Sequence, residues 1–469
     1  MGDRRGGCGA GWFAGAAGGE LANGADAAIE RVETDSRGAG PGSLFVALAG
    51  ERSDGHDYAR KAADSGASAV LVSASWWSGP GRRAFAGSSC PVIVAPDPLG
   101  ALQKAAAAYR SLFPSLLRFG VTGSAGKTSA KELLAAIVGS FKNTVKNPGN
   151  LNSDIGLPAS VFLVRPEHEA AVFEMGINRP GEMDLLASVY EPDCAIVTNV
   201  GTAHVGVLGG TRAAIAAEKK RVASRFDGRQ CLVVWEDDDF RDALLSGVRG
   251  RCETYGPRST DGFEGARDLG LEGWAVRYRG IESRLRLPGA HNLLNALAAI
   301  RAASLYGATE SDVAEGLESV SPLSGRTSVI RGDFTVVDDC YNANAESVLA
   351  AIAFCDSAPT DGRRLYVLGS MKELGEESAA SHRRIGLAAA SSRADALAFY
   401  GEEARDAYDA ARRERPDLEA RHFDDYDGLE RFVSGYAAGG DLVLVKASRS
   451  MALERLVERL TGIGGHHVP

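Results

Sequence analysis

No apolar run in this sequence approaches the ~20 residues that a membrane helix needs, so no segment is expected to cross a membrane. The Met-Gly start has Gly6, not Ser or Thr, at the position that N-myristoylation reads. The opening "MGDRRGGCGAGWFAGAAGGE" also lacks a continuous apolar core of the kind a signal peptide carries, and residues 1–19 are expected to be a flexible lead-in. Cysteine is sparse and unpatterned. Cys8, Cys90, Cys194, Cys231, Cys252, Cys340 and Cys355 form no C-x-x-C pair and have no histidine at zinc spacing. That excludes a disulfide framework and points to reduced thiols in the cytoplasm. No long basic block occurs either. With 52 basic against 61 acidic residues and a net charge of −9, nucleic acid is not an expected partner. No internal repeat is strong enough to use.

What is present is an ordinary globular composition, 45% hydrophobic and 24% charged, spread over 469 residues. That length exceeds one core, and three domains are expected. Residues 20–114 alternate short apolar runs ("SLFVAL", "SAVLVS", "PVIVAP") with Ala-rich helical segments, the pattern of a small α/β domain. Residues 115–323 carry "LRFGVTG", "AAVFEMG", "CAIVTNVG" and "CLVVWED" between helices, which reads as a parallel sheet with crossover helices. Near its end "EGWAVRYRGIESRLRLPG" reads as an antiparallel hairpin, and "AHNLLNALAAIRAASLYG" as a helix closed by Gly307. Residues 324–469 repeat the scheme as an open, Rossmann-like α/β domain, with "FTVVDDCY", "RLYVLG", "DALAFYG" and "DLVLVKAS" as strands. The tail "GIGGHHVP" is expected to be disordered, and His466 with His467 is too little for a metal site. Nothing demands more than a monomer.

The chemistry starts at "FGVTGSAGKTSAKELL", residues 119–134. A glycine-rich turn, then Lys-Thr, then an apolar-periodic run with Leu133, Leu134, Ile137 and Val138 is the form of a phosphate-binding loop opening a helix. The spacing is unusual, because Val121 stands where the common pattern has glycine; Gly123 and Gly126 supply the turn. Backbone amides from Gly123, Ser124, Ala125 and Gly126 and the helix dipole would favour an anion there. Lys127 would reach terminal phosphates, and the Thr128 hydroxyl would ligate Mg²⁺. The bland alternative is a glycine-rich turn with an incidental lysine.

Glu174 ends the run "AAVF", and His204 follows "CAIVTNVG" by a few residues, so both project from the carboxyl edge of the sheet beside the loop. Each is weak alone. With the loop they complete a plausible divalent-metal site.

Six motifs, "TGSAGKTS", "NPGNLNSDIGLP", "EMGINRPGEM", "TNVGTAHV", "HNLLNALAA" and "DDCYNANAES", resemble in order and spacing those of the Mur ligase family, across all three regions. "TDSR" near the start, together with "EMGINRPGE" and "YNAN", is most similar to the branch that joins D-alanyl-D-alanine to UDP-N-acetylmuramoyl-tripeptide. The resemblance implies ATP-dependent amide-bond formation through an acyl phosphate, a cytoplasmic step of peptidoglycan precursor synthesis. It implies Mg²⁺ held by Thr128, Glu174 and His204, and a carbamylated lysine (N6-carboxylysine) beside a second Mg²⁺. The family position for that lysine is fourteen residues after the histidine, which here is Glu218; a one-residue shift favours Lys219, with Lys220 the alternative. Lys127, His204, Lys219 and Glu174 form the implied catalytic set.

Asn292 and Asn295 resemble the family's adenine-side asparagines, Arg326 a phosphate contact, and Asp339 the ribose-binding carboxylate. Thr34, Asp35, Ser36 and Arg37 resemble the uridine-diphosphate site, and Asn150 and Asn152 the contacts to the sugar-peptide. Tyr341, Asn342 and Asn344 would face the reacting dipeptide. Read without the family, "TDSR" is equally a capped turn and "YNAN" a loop of turn formers. Four positions depart from the family pattern: Ala345 for Pro, Ser370 for Asp, Ala447 for Gly, and "VVWEDDD" without its Asn. Rival readings are another Mur-type ligase, a folylpolyglutamate synthase, or a nucleotide switch that ligates nothing.

Overall fold

The computed structural model describes residues 8–50 and 53–463. Three α/β units follow one another along the chain. In the first, five strands run in the order Glu20–Asn23, Val92–Ala95, Ala69–Ser73, Ser43–Val46 and Arg31–Glu33. All neighbours in it are parallel except the first pair. Helix Pro98–Arg110, capped by Asp97 Oδ1 on the Leu99 amide, covers this sheet and leads into the second unit.

The lead-in expected over residues 1–19 is overturned for its described part. Cys8–Gly9 pairs with Ala28–Ile29, and Ala10–Ala17 is a helix ended by Gly18 in the left-handed conformation. Its Phe13 is fully buried, 5.5 Å from the Phe162 ring of the next unit. Glycine and alanine gave the segment no periodic signal; burial against the Pro98–Arg110 helix supplies the stability. Residues 1–7, and the tail from 464 with His466 and His467, lie outside the described residues.

The second unit is a six-stranded, all-parallel sheet in the order Arg251–Tyr255, Cys231–Trp235, Cys194–Val197, Leu117–Thr122, Ala170–Glu174, Thr144–Lys146. Leu117–Thr122 lies near its centre; the chain runs first to the edge strand Thr144–Lys146, returns to Ala170–Glu174, then crosses Leu117–Thr122 and winds outward on the other side. Such a switch point opens a crevice beyond the strand's carboxyl end, and the phosphate loop stands there. Helix Lys127–Gly139 buries Leu133, Leu134, Ile137 and Val138 on the sheet, and helix Ala290–Ser304 packs beside it. The expected hairpin is a three-stranded antiparallel sheet, joined by Phe263–Asp268.

The third unit orders its strands Ser328–Arg331, Thr335–Asp338, Leu442–Lys446, Arg364–Gly369, Ala396–Tyr400, Glu419–Phe423, with only the first pair antiparallel. Among the described residues no helix is long and apolar enough to cross a membrane.

Candidate active site

The carboxyl edges of the second and third sheets face one cavity of about 740 Å³. Its second-unit wall begins with the phosphate loop. Gly126 has φ +80°, and a Cβ there would lie 2.4 Å from Asn295 Oδ1. Gly123 has φ +149°, and a Cβ would lie 1.8 Å from Thr198 Oγ1. Only glycine meets both demands. The loop is braced from strand Cys194–Val197: Asn199 accepts from the Ala125 amide at 3.0 Å and donates to the Ala125 carbonyl at 3.0 Å, while Thr198 Oγ1 donates to the same carbonyl at 2.6 Å. "TNVG" carried no assigned role in the sequence, although its place after an apolar strand was the available signal.

Lys127 is half-buried and donates to the Gly123 carbonyl at 3.0 Å. Burial pushes its amine below the usual lysine range, Glu174 opposes that, and Arg326 adds to it. Thr128 Oγ1 donates to Glu174 Oε2 at 2.6 Å, and Asn152 donates to Glu174 Oε1 at 2.6 Å. Glu174 is thus fully buried and doubly hydrogen-bonded at the end of its strand. His204 sits on the cavity wall with φ +60°, a strained conformation for a non-glycine residue. Glu373 of the third unit, itself at φ +65°, places a carboxylate oxygen 2.6 Å from His204 Nδ1, off the line of a hydrogen bond. Burial, then Lys127, keep the imidazole pKa low.

Lys219 and Lys220 separate cleanly. Lys220 is turned outward to the Ala243 and Ser246 carbonyls. Lys219 is 2% exposed, and burial with the nearby Lys127 drives its pKa well down. Ile215, Ala216 and Lys219 share the buried face of their helix, a periodicity legible in the sequence.

Asn150, Asn292, Asn295, Arg326, Asp339, Tyr341, Asn342 and Asn344 all line the same cavity. Asn292 donates to the Pro288 carbonyl at 2.9 Å. Asp339 accepts from the Thr327 amide at 3.0 Å and pairs with buried Lys446 at 2.7 Å. Arg326 lies over the Tyr341 ring at 4.0 Å. Asn344 caps helix Ala345–Ser357 and reaches the Ser124 carbonyl at 3.4 Å, which puts it against the phosphate loop. Thr202 of the second unit donates twice, by amide and hydroxyl, to Glu346 Oε2 at 3.0 Å. Glu346, Glu373 and Lys446 escaped sequence reading because they acquire meaning only when the two sheets face each other.

Thr34, Asp35, Ser36 and Arg37 lie outside this cavity, in a turn after strand Arg31–Glu33. Arg37 is exposed and pairs with Asp35, whose carboxylate also accepts from the Arg37 amide at 2.9 Å.

The chain matches the Mur ligase family, catalytic domain, over residues 28–110, the Mur ligase middle domain over 121–303, and the Mur ligase, glutamate ligase domain over 325–449. It is 40% identical to the UDP-N-acetylmuramoyl-tripeptide--D-alanyl-D-alanine ligase of Treponema pallidum (strain Nichols), across 91% of this chain and 93% of the relative. This chain belongs to the Mur ligase family. The corresponding Bacillus subtilis (strain 168) ligase is 33% identical, across 92% of this chain and 93% of that one. Among solved structures, a MurF from Acinetobacter baumannii superposes with a TM-score of 0.85 at 26% identity, covering 98% and 100% of the two chains. The MurF ligase of Thermotoga maritima in complex with ADP gives 0.76 at 26% identity, covering 92% and 97%. The Mur ligase assignment accounts for the three-unit architecture and the cavity between the second and third units.

Proposed function

We propose that this Mur ligase adds D-alanyl-D-alanine to UDP-N-acetylmuramoyl-tripeptide, using ATP to activate the peptide carboxylate as an acyl phosphate. The observation that carries this reading is the single cavity in which a braced phosphate loop of one sheet meets Asp339, Tyr341, Asn342 and Asn344 of another. Both half-reactions concentrate negative charge. Lys127, the loop amides and the helix N-terminus supply the opposing field in a partly enclosed space where it is strongest. Asp339, fixed by Lys446 and Thr327, would accept from the ATP ribose. Asn292 and Asn295 stand behind the loop for the base, and Arg326 flanks Lys127 for the phosphates. Thr34–Arg37 would hold the uridine diphosphate, and Asn150 with Asn152 the sugar-peptide. The third unit brings the dipeptide and, through Glu346 and Asn344, shuts the cavity against water.

The described residues hold no group of three or more His, Cys, Asp or Glu side chains gathered as metal ligands. The adjacent oxygens of Thr128 and Glu174 nonetheless suit Mg²⁺, which takes few protein ligands and completes its shell with phosphate and water. His204, held neutral, is a further donor on the same wall. Bound there, Mg²⁺ would neutralise charge on the terminal phosphates. Lys219 fits carbamylation, since CO₂ adds to a neutral amine and burial, with Lys127 nearby, drives the pKa of this amine well down.

The test is phosphate release and product mass with purified substrates. Release is expected only when UDP-N-acetylmuramoyl-tripeptide and D-alanyl-D-alanine are both present; release indifferent to the dipeptide would sink the proposal. Intact mass of native protein with and without bicarbonate checks Lys219, and an adduct surviving in Lys219→Ala would reassign it.

A further inference from the structure

Two guanidinium groups in the cavity wall, Arg326 and Arg384, make no hydrogen bond among the described residues. The other cations there are taken. Lys127 donates to Gly123, Arg212 pairs with Asp239 and donates to the Val200 carbonyl, and Lys446 pairs with Asp339. Arg326 lies over the Tyr341 ring at 4.0 Å, in the same cavity wall as Lys127, and is the group proposed above for the phosphates.

Arg384 is placed differently. It projects from helix Ser378–Ala390 of the third unit, and its nearest carboxylate oxygen, Glu346 Oε1, is 3.9 Å away. The other oxygen of Glu346 is already engaged by Thr202 at 3.0 Å. Glu346 therefore holds the guanidinium at the cavity edge without satisfying its five N–H donors. Its side chain stays 57% exposed.

The proposed reaction needs such a group. D-alanyl-D-alanine attacks with its amine, which must approach the acyl phosphate beside Lys127, and its carboxylate is carried into the cavity behind it. A carboxylate losing water there without a partner is costly, and an arginine fork matches it with two parallel hydrogen bonds. We propose that Arg384 is the specificity-determining residue that receives the C-terminal carboxylate of the incoming dipeptide. This rests on the ligase reading above and names how that site selects its amine. A single amino acid is shorter by about 3.5 Å, one extended residue, so a cation set for the dipeptide is out of its reach.

The experiment compares wild type, Arg384→Ala and Arg384→Lys with D-alanyl-D-alanine and with D-alanyl-D-alaninamide, which lacks the negative charge. Wild type is expected to favour the free acid in kcat/KM. Arg384→Ala should raise KM for the acid about tenfold, the size of one charged contact at a half-exposed position, and so abolish the preference for acid over amide. Arg384→Lys should restore part of it. KM for ATP and for the UDP-tripeptide should hold, and the unfolding midpoint should match wild type, which a merely structural role would not leave so. An Arg384→Ala enzyme that keeps the acid-over-amide preference, or whose KM moves for ATP or the tripeptide instead, overturns the inference alone. Wild type that does not ligate the dipeptide overturns the ligase reading, and this inference with it.

Discussion

The phosphate loop and the Thr34–Arg37 turn both follow the carboxyl end of a strand, and both were picked out for anion chemistry, yet they are built in opposite ways. The loop is held by Thr198, Asn199 and Asn295, from two other elements, before any ligand arrives. The turn is held by its own residues, Arg37 closing on Asp35 in solvent. A site fixed by its scaffold can stabilise a transition state, since nothing need reorganise when charge develops. One fixed only by itself can bind, but must first give up its internal pair.

Four measurements would break or sharpen that contrast. Lys127→Ala removes a positioned cation from the braced site, and kcat is expected to fall about 10²–10³-fold; a change confined to KM would mean the loop only binds. Asn199→Ala leaves the Ala125 amide without its partner and the Ala125 carbonyl with Thr198 alone, and KM for ATP should rise about tenfold with the loop otherwise intact; steady-state kinetics over ATP concentration would show it. Arg37→Ala frees Asp35, and the result expected is a severalfold rise in KM for the UDP-tripeptide alone, with the unfolding midpoint unmoved. A loss of kcat there would erase the distinction between the two sites.

The smallest effect concerns pH. His204, His291 and His382 all have folded pKa values below the ordinary 6.5, with burial the leading cause. Below 6.5 the unfolded chain takes up protons that the folded chain refuses, so their contribution is complete above that pH and is lost as pH falls through the folded values. The unfolding midpoint should therefore drop between about pH 7 and pH 5, and calorimetry across that range checks it. In the exposed turn the cause is different: a hydrogen bond from Arg37, not burial, holds the Asp35 carboxyl below its usual range.

Much of the architecture was legible because the inner strands are apolar runs that stop at glycine or a polar residue, as "CAIVTNVG" does at Thr198. Edge strands such as Thr144–Lys146 were not, being three residues long and half polar. Helix Ala10–Ala17 hid behind glycine and alanine, whose helicity here depends on partners distant in sequence. In the site, Lys127 and Thr128 declare themselves through local turn chemistry. Lys446 does not: inside "DLVLVKAS" it reads as the polar end of a strand, and only the fold sets it against Asp339. That Lys219 faces inward and Lys220 outward was available from helical periodicity, through Ile215 and Ala216.

Gly126 carries an implication for inheritance. Its missing Cβ is the space that Asn295 occupies, on a helix far away in the chain, and its positive φ closes the position to other residues a second time. Position 126 cannot drift while Asn295 stands. A lineage that altered Asn295 would still be bound to glycine by the backbone, and one that lost the glycine would lose both. Across descendants of this gene, position 126 should therefore be the slower of the two to change, and the order in which the pair decays would mark when a copy ceased to handle nucleotide.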